Sequence, residues 1–140
     1  MFPIRARVDT VPIVHILIVD DHAGVRTLIR ELLAESFVST AVRAVTFGEC
    51  ASGEAAIGAI REIQPDLVTV DLRMPGMNGL QCVERLRVRL PLACIVVVTH
   101  FDNESLHERA RRAGADSVVF KDDLGQLPQV TRGYLQHKVR

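Results

Sequence analysis

Apolar residues along this chain alternate between two periods, and the changes of period divide it into strand and helix pairs. Ile13 to Val19 (Ile-Val-His-Ile-Leu-Ile-Val) is almost continuously β-branched and aliphatic, as expected of a strand covered on both faces of a parallel sheet. It stops at Asp20-Asp21. From His22 the spacing becomes helical: Val25, Leu28, Ile29, Leu32 and Leu33 share one face, and Arg26, Arg30, Glu31 and Glu35 lie mostly off it, which predicts a helix of about four turns ending near Ser36. A weaker strand is expected over Ala44 to Cys50. Ala51-Ser52-Gly53 turns the chain, and Ala56, Ala59, Ile60 and Ile63 mark a small-residue helix that Pro65 stops. Asp66 to Asp71 reads as the third strand. Leu80, Val83, Leu86 and Leu90 are the inward positions of the next helix, which Pro91 ends, and Leu92 to Val98 is a fourth, fully buried strand running into Thr99-His100. Asp102 or Asn103 can cap a helix carrying Leu106, Ala110 and Ala113, with Gly114 as its stop. Ser117 to Phe120 is the last strand. A final helix from about Leu124 to Lys138 packs Leu127, Val130, Thr131, Tyr134 and Leu135.

Five strands alternating with five helices predict an α/β fold, a parallel sheet with right-handed crossovers sandwiched between helices. The 140 residues suffice for one domain, expected over 13–140. Met1 to Pro12 contains Arg5, Arg7 and two prolines and lacks the apolar core of a signal peptide, so it reads as a flexible leader. Lys+Arg and Asp+Glu both number 17, and this balance argues against a protein drawn to nucleic acid or anionic lipid by charge. No apolar run approaches the ~20 residues that span a bilayer. Cys50, Cys82 and Cys94 are odd in number and widely spaced, and are expected as reduced, buried or half-buried thiols of a cytoplasmic protein rather than disulfides or metal ligands.

The ends of the strands carry the chemistry. Four of the five finish in a residue that can handle an anion or a cation: Asp20-Asp21, Asp71, Thr99 and Lys121. All carboxyl ends of a parallel sheet lie on one edge, where ligands bind in open α/β sheets, so these groups should converge. Three carboxylates brought together repel one another unless a cation lies among them. All-oxygen ligation suits Mg²⁺, with Mn²⁺ as a substitute. The other histidines follow no metal spacing, His22, His107 and His137 included.

This arrangement resembles the receiver domain of two-component response regulators. The resemblance rests on Val19-Asp20-Asp21-His22, Val70-Asp71-Leu72-Arg73-Met74-Pro75-Gly76-Met77-Asn78-Gly79, Val98-Thr99, Ala113-Gly114-Ala115 and Phe120-Lys121-Asp122, in that order over about residues 13 to 138. It implies a flavodoxin-like, doubly wound fold with strand order 2-1-3-4-5. It also implies that Asp71 is the phosphoacceptor, taking a phosphoryl group from the phosphohistidine of a sensor histidine kinase or phosphotransfer protein. Asp21 matches the direct metal ligand, Asp20 the ligand that usually acts through water, and the backbone carbonyl of Arg73 a further ligand. Lys121 and Thr99 would attend the phosphoryl oxygens, with the N–H groups of Leu72 and His100 completing the cradle. By the same resemblance the domain catalyses its own phosphorylation and dephosphorylation, and controls a downstream output protein or effector domain.

Several positions depart from the family pattern. Many receivers carry an aromatic three residues before the lysine, where this chain has Val118; Phe120 shares its face of the strand. His100 stands where a small residue is common. Asp122 replaces a frequent proline, as in many regulators with a helix-turn-helix output. Arg132, His137, Lys138 and Arg140 form a mildly basic tail that reads as a solvated face rather than a DNA contact. The partner surface implied by the family runs from about Asp102 to Gln136, and the charged outer face of its helix suggests a homodimer there. Two rival readings stand beside this one. A phosphatase of the haloacid-dehalogenase type needs a second acid two residues after its nucleophile, where this chain has Arg73. A degenerate receiver would be a binding module that never takes up phosphate.

Overall fold

The computed structural model describes residues 13–37 and 44–139, with side-chain surroundings as far as Gly133. Five strands form one parallel sheet: β1 (Ile13–Val19), β2 (Ala44–Cys50), β3 (Leu67–Asp71), β4 (Cys94–Thr99) and β5 (Ser117–Phe120), in the order β2-β1-β3-β4-β5. The helices between and after them are α1 (Ala23–Ser36), α2 (Gly53–Ala59), α3 (Gly79–Arg89), α4 (Glu104–Ala113) and α5 (Leu127–Val139). The expected order and the parallel sheet are both observed. The leader, residues 1–12, and the packing of Tyr134 and Leu135 lie outside what is described.

Alternate strand residues feed two cores. Val14, Ile16 and Ile18 pack with Ile29 and Leu33 of α1 and Leu127 of α5. Leu17 and Val19 pack with Ala56 of α2, with Cys82, Val83 and Leu86 of α3, and with Ala110 of α4. Burial on both faces explains why β3 and β4 are buried at every position and read as unbroken apolar runs. All three cysteines are buried. Burial pushes the Cys82 thiol up to about 12 and raises Cys50 as well, as expected of packing residues rather than nucleophiles.

The helix and strand ends correct several expectations. Leu28 is 45% exposed; it lies about 100° around the helix from Ile29, beyond the edge of the buried stripe. Leu92 is 81% exposed, because it belongs to the turn after Pro91 and β4 begins at Cys94, whose N–H donates to Asp66 O at 2.9 Å. Helix α2 ends at Ala59, well before Pro65, and leaves Ile63 41% exposed; the chain has to turn there to bring Asp66 beside His15, whose carbonyl accepts its N–H at 2.7 Å. The last helix starts at Leu127 after a 3-10 segment over Lys121–Gln126, within which Asp123 has non-helical φ −131°, ψ 45°. Pro128 then occupies the first turn of α5, where its missing N–H costs nothing.

Away from the carboxyl edge, Arg87 of α3 joins three segments. Its guanidinium donates to the carbonyls of Gly114 at 2.9 Å, Leu90 at 3.0 Å and Ala93 at 2.7 Å, and to Asp116 Oδ2 at 2.7 Å. Asp116 Oδ2 in turn accepts the Ile95 N–H at 2.8 Å. Gly114 makes this possible, since its φ of 121° ends α4 in a conformation that side chains disfavour. The planar fork of arginine satisfies several carbonyls that a point charge cannot. Arg87→Ala is expected to lower unfolding free energy by about 2–3 kcal/mol and Arg87→Lys to recover little of it. The urea midpoint at unchanged slope is the measurement, and a midpoint equal to that of the parent chain would count against this role.

Candidate functional site

Strand register brings the polar strand ends together. Val19 pairs with Val70, so Asp20 follows β1 next to where Asp71 ends β3; Asp71 pairs with Val98, so Thr99 stands one step beyond; and Thr99 pairs with Phe120, which puts Lys121 one step past β5. Asp20, Asp71 and Thr99 are at most 5% exposed and Lys121 8%. Lys121 Nζ lies 2.9 Å from Asp20 Oδ2 and 3.4 Å from Asp71 Oδ1. Asp21 is less enclosed, its side chain 27% exposed.

The loops that carry these residues are held by hydrogen bonds, some within the loop and some from neighbouring elements. Arg26 of α1 donates to the carbonyl of Asp20 at 2.7 Å and to Glu49 of β2 at 3.1 Å, anchoring the β1–α1 loop. Asn78 caps α3 through a reciprocal box with Gln81, at 3.0 and 3.2 Å. Gly79 is required next: a Cβ there would come within 2.5 Å of Leu72 Cα, so α3 starts directly against the end of β3. Glu54 of α2 accepts the Met77 N–H at 3.2 Å and holds the intervening turn.

Two loop residues lie across the mouth of the pocket. The Arg73 N–H approaches Asp71 Oδ1 at 3.4 Å, and the Phe101 N–H donates to Thr99 Oγ1 at 3.1 Å. Their side chains meet, with the Arg73 guanidinium 4.3 Å from the centre of the Phe101 ring, a cation–π pair. Phe101, Arg26 and Glu49 were not among the residues expected here. Phe101 meets Thr99 and Arg26 meets Asp20 close along the chain, whereas the contacts of Phe101 with Arg73 and of Arg26 with Glu49 join distant segments, which no local pattern marks. Phe120 stands beside Thr99 across the β4–β5 ladder, and Val118 is half-buried against the core on the α2, α3 and α4 side. His100 is exposed, 3.8 Å from Asp122.

Electrostatically the pocket has more carboxylate than counter-charge. Burial raises the Asp71 carboxyl above its ordinary range, the neighbouring Asp20 charge raises it further, and Lys121 and the Arg73 N–H oppose them. Asp20 Oδ2 and Asp21 Oδ1 each face a nitrogen at ion-pair distance, Lys121 and His22 respectively, yet neither accepts a hydrogen bond. Carboxylate oxygens with unused capacity in one acidic group fit a hard divalent cation. One donor atom each from Asp20, Asp21, His22 and Asp71 lie within 4.8 Å of one another. His22 is the unexpected member, since spacing along the chain gives no hint of it.

A raised carboxyl in the folded chain means that ionised Asp71 opposes folding at neutral pH, and that this opposition fades as pH falls into the ordinary carboxylate range. Asp71→Asn is therefore expected to raise the melting temperature at neutral pH by roughly 3–6 °C, equivalent to about 1 kcal/mol. The gain should shrink on acidification. Calorimetry across pH checks both, and a variant that melts lower at neutral pH would contradict the assignment of strain to Asp71.

Residues 16–132 match the family described as response regulator receiver domain. The nitrate/nitrite response regulator protein NarL of Escherichia coli (strain K12) is 36% identical over 107 residues, which are 76% of this chain and 47% of NarL. The response regulator protein VraR of Staphylococcus aureus is 35% identical over 108 residues, 77% of this chain and 49% of VraR. The chain thus spans about half the length of the curated relatives it matches. The signal receiver domain of a NarL response regulator from Mycobacterium tuberculosis superposes with a TM-score of 0.77 at 25% identity, covering 89% of this chain and 98% of that one. Among the described residues no helix is long and apolar enough to cross a membrane. With a family match over most of its length laid on this strand order and this cluster of strand-end side chains, the chain belongs to the response regulator receiver family.

Proposed function

We propose that this receiver domain is a phosphorylation switch in which Asp71 accepts a phosphoryl group from a phosphohistidine of a sensor kinase or phosphotransfer protein. The observation that carries this reading is the position of Asp71, buried at the end of β3 with Asp20 and Lys121 against it. Asp20, Asp21, Asp71 and the backbone carbonyl of Arg73 would hold Mg²⁺, or Mn²⁺ in its place, which when bound stabilises charge on the transferred oxygens.

The chain's own residues have separate tasks. An Asp71 carboxylate oxygen attacks phosphorus; the new P–O bond forms as the P–N bond to the donor imidazole breaks, and the imidazole leaves with the electron pair. A carboxylate is a weak nucleophile that is already ionised, so alignment matters more than a base. Lys121, held between Asp20 and Asp71, supplies a compact positive charge to a phosphoryl oxygen. Thr99 offers a hydroxyl donor, and turning it toward a phosphoryl group would strain the Phe101 N–H bond it now accepts. The group adds about two negative charges, and a bias of ~1–3 kcal/mol between two loop arrangements changes partner affinity 5- to 150-fold. The β4–α4 loop and α4 are the segments best placed to report it.

Incubation with acetyl phosphate and Mg²⁺ should add one phosphate to the intact protein, and Asp71→Asn should abolish the gain. A chain that takes up no phosphate, or a variant that gains it at the same rate, would favour the phosphorylation-independent binding module instead. A homodimer through residues 102–136 is a further part of this proposal, motivated by the charged outer face of α4, where Arg112 and Glu108 pair at 3.4 Å. Sedimentation with and without beryllofluoride tests it, and an unchanged mass would remove the dimer from the proposal.

A further inference from the structure

His22 has no task in the switch described above, yet it stands at the mouth of the acidic pocket. It occupies the N-cap position of α1 without its side chain capping the helix. Its N–H donates to Asp20 Oδ1 at 2.9 Å, which fixes its backbone to the buried acid. Its side chain, 70% exposed, turns back so that Nδ1 lies 3.1 Å from Asp21 Oδ1 and 3.5 Å from Asp20 Oδ1.

Those distances can be compared with a coordination shell. For metal–ligand bonds of about 2.1 Å in an octahedron, neighbouring donors lie about 3.0 Å apart and opposite donors about 4.2 Å. The 3.1 Å separation of His22 Nδ1 and Asp21 Oδ1 matches an octahedral edge. The 3.5 Å to Asp20 and the 4.8 Å limit over all four donors call for small side-chain shifts, which an exposed imidazole can supply. A pocket of oxygens alone suits Mg²⁺; adding an imidazole nitrogen moves the preference toward first-row transition ions.

We propose that His22 supplies a nitrogen ligand, through Nδ1, to the ion held by Asp20, Asp21 and Asp71, so that the pocket favours Mn²⁺ or Co²⁺ over Mg²⁺ by more than its carboxylates alone would. The inference rests on the metal pocket proposed above. Imidazole and carboxylates then share one ion, and the direct approach of His22 to Asp21 is the protein's arrangement of two neighbouring donors.

The test is a spin-echo modulation spectrum of the full chain loaded with Mn²⁺, together with competition between Mn²⁺ and Mg²⁺. A directly bound nitrogen is expected in the parent chain and not in His22→Asn, and the Mn²⁺ over Mg²⁺ preference should fall about tenfold in that variant. Mn²⁺ bound with an oxygen-only shell, or a nitrogen signal that survives His22→Asn, would overturn the proposal and leave the acidic pocket standing. Binding of both ions unaffected by Asp21→Asn would instead remove the pocket itself, and the inference with it.

Discussion

A single ammonium set against several carboxylates is the constraint on which the carboxyl edge depends. Lys121 reaches Asp20 and Asp71 from a side chain 3% exposed, and Asp21 adds a third acid beside them. Burying two carboxylates and one ammonium is expensive unless the charges are mutually placed, and here the placement leaves surplus negative charge and a raised Asp71. A fold selected for stability alone has no use for such a cluster. The switch proposed above would have a use for it, because the strain in the resting pocket favours whatever relieves it.

The rest of the molecule keeps that cluster in place. The sheet fixes the spacing of the strand ends through its register, and two apolar cores clamp it from both faces. Arg87 and Asp116 tie the opposite edge, joining the end of α3, the stop of α4 and the start of β4. Close to the pocket the anchors are individually small: Arg26 on the Asp20 carbonyl, Asn78 with Gln81, Glu54 on the Met77 N–H. The base is over-determined by packing. The mouth is held by a few hydrogen bonds, which would suit loops that respond to one added group as proposed.

That mouth also departs from the usual pattern of the family. Valine stands at 118, half-buried against the core, and offers no aromatic ring to move. Phe120 lies directly beside Thr99, and Phe101 is bonded to Thr99 through its N–H and to Arg73 through its ring. The aromatic groups able to sense Thr99 therefore sit next to it along the ladder and after it in the loop. Arg73 is drawn into the same contact, and its own N–H approaches Asp71. Asp71 and Thr99 are thus each in touch with one partner of the cation–π pair.

Element type and order were legible in the amino-acid sequence because a doubly wound sheet writes itself as apolar runs alternating with helical spacing. β1, β2 and β5 fall where the residues place them, and the acids, threonine and lysine at the strand ends name the pocket without any coordinates. Boundaries were less legible, since Leu28, Ile63 and Leu92 are apolar and nonetheless exposed. Period records what a side chain is, whereas burial depends on what the neighbouring segment leaves uncovered. Contacts between distant segments belonged to the tertiary structure alone: Arg26 on Glu49, Phe101 on Arg73, and Arg87 on Gly114 and Asp116. His22 shows the division most clearly. Its neighbours in sequence marked it as the residue after two acids, and the turn of the chain into α1 brought its nitrogen back against one of them.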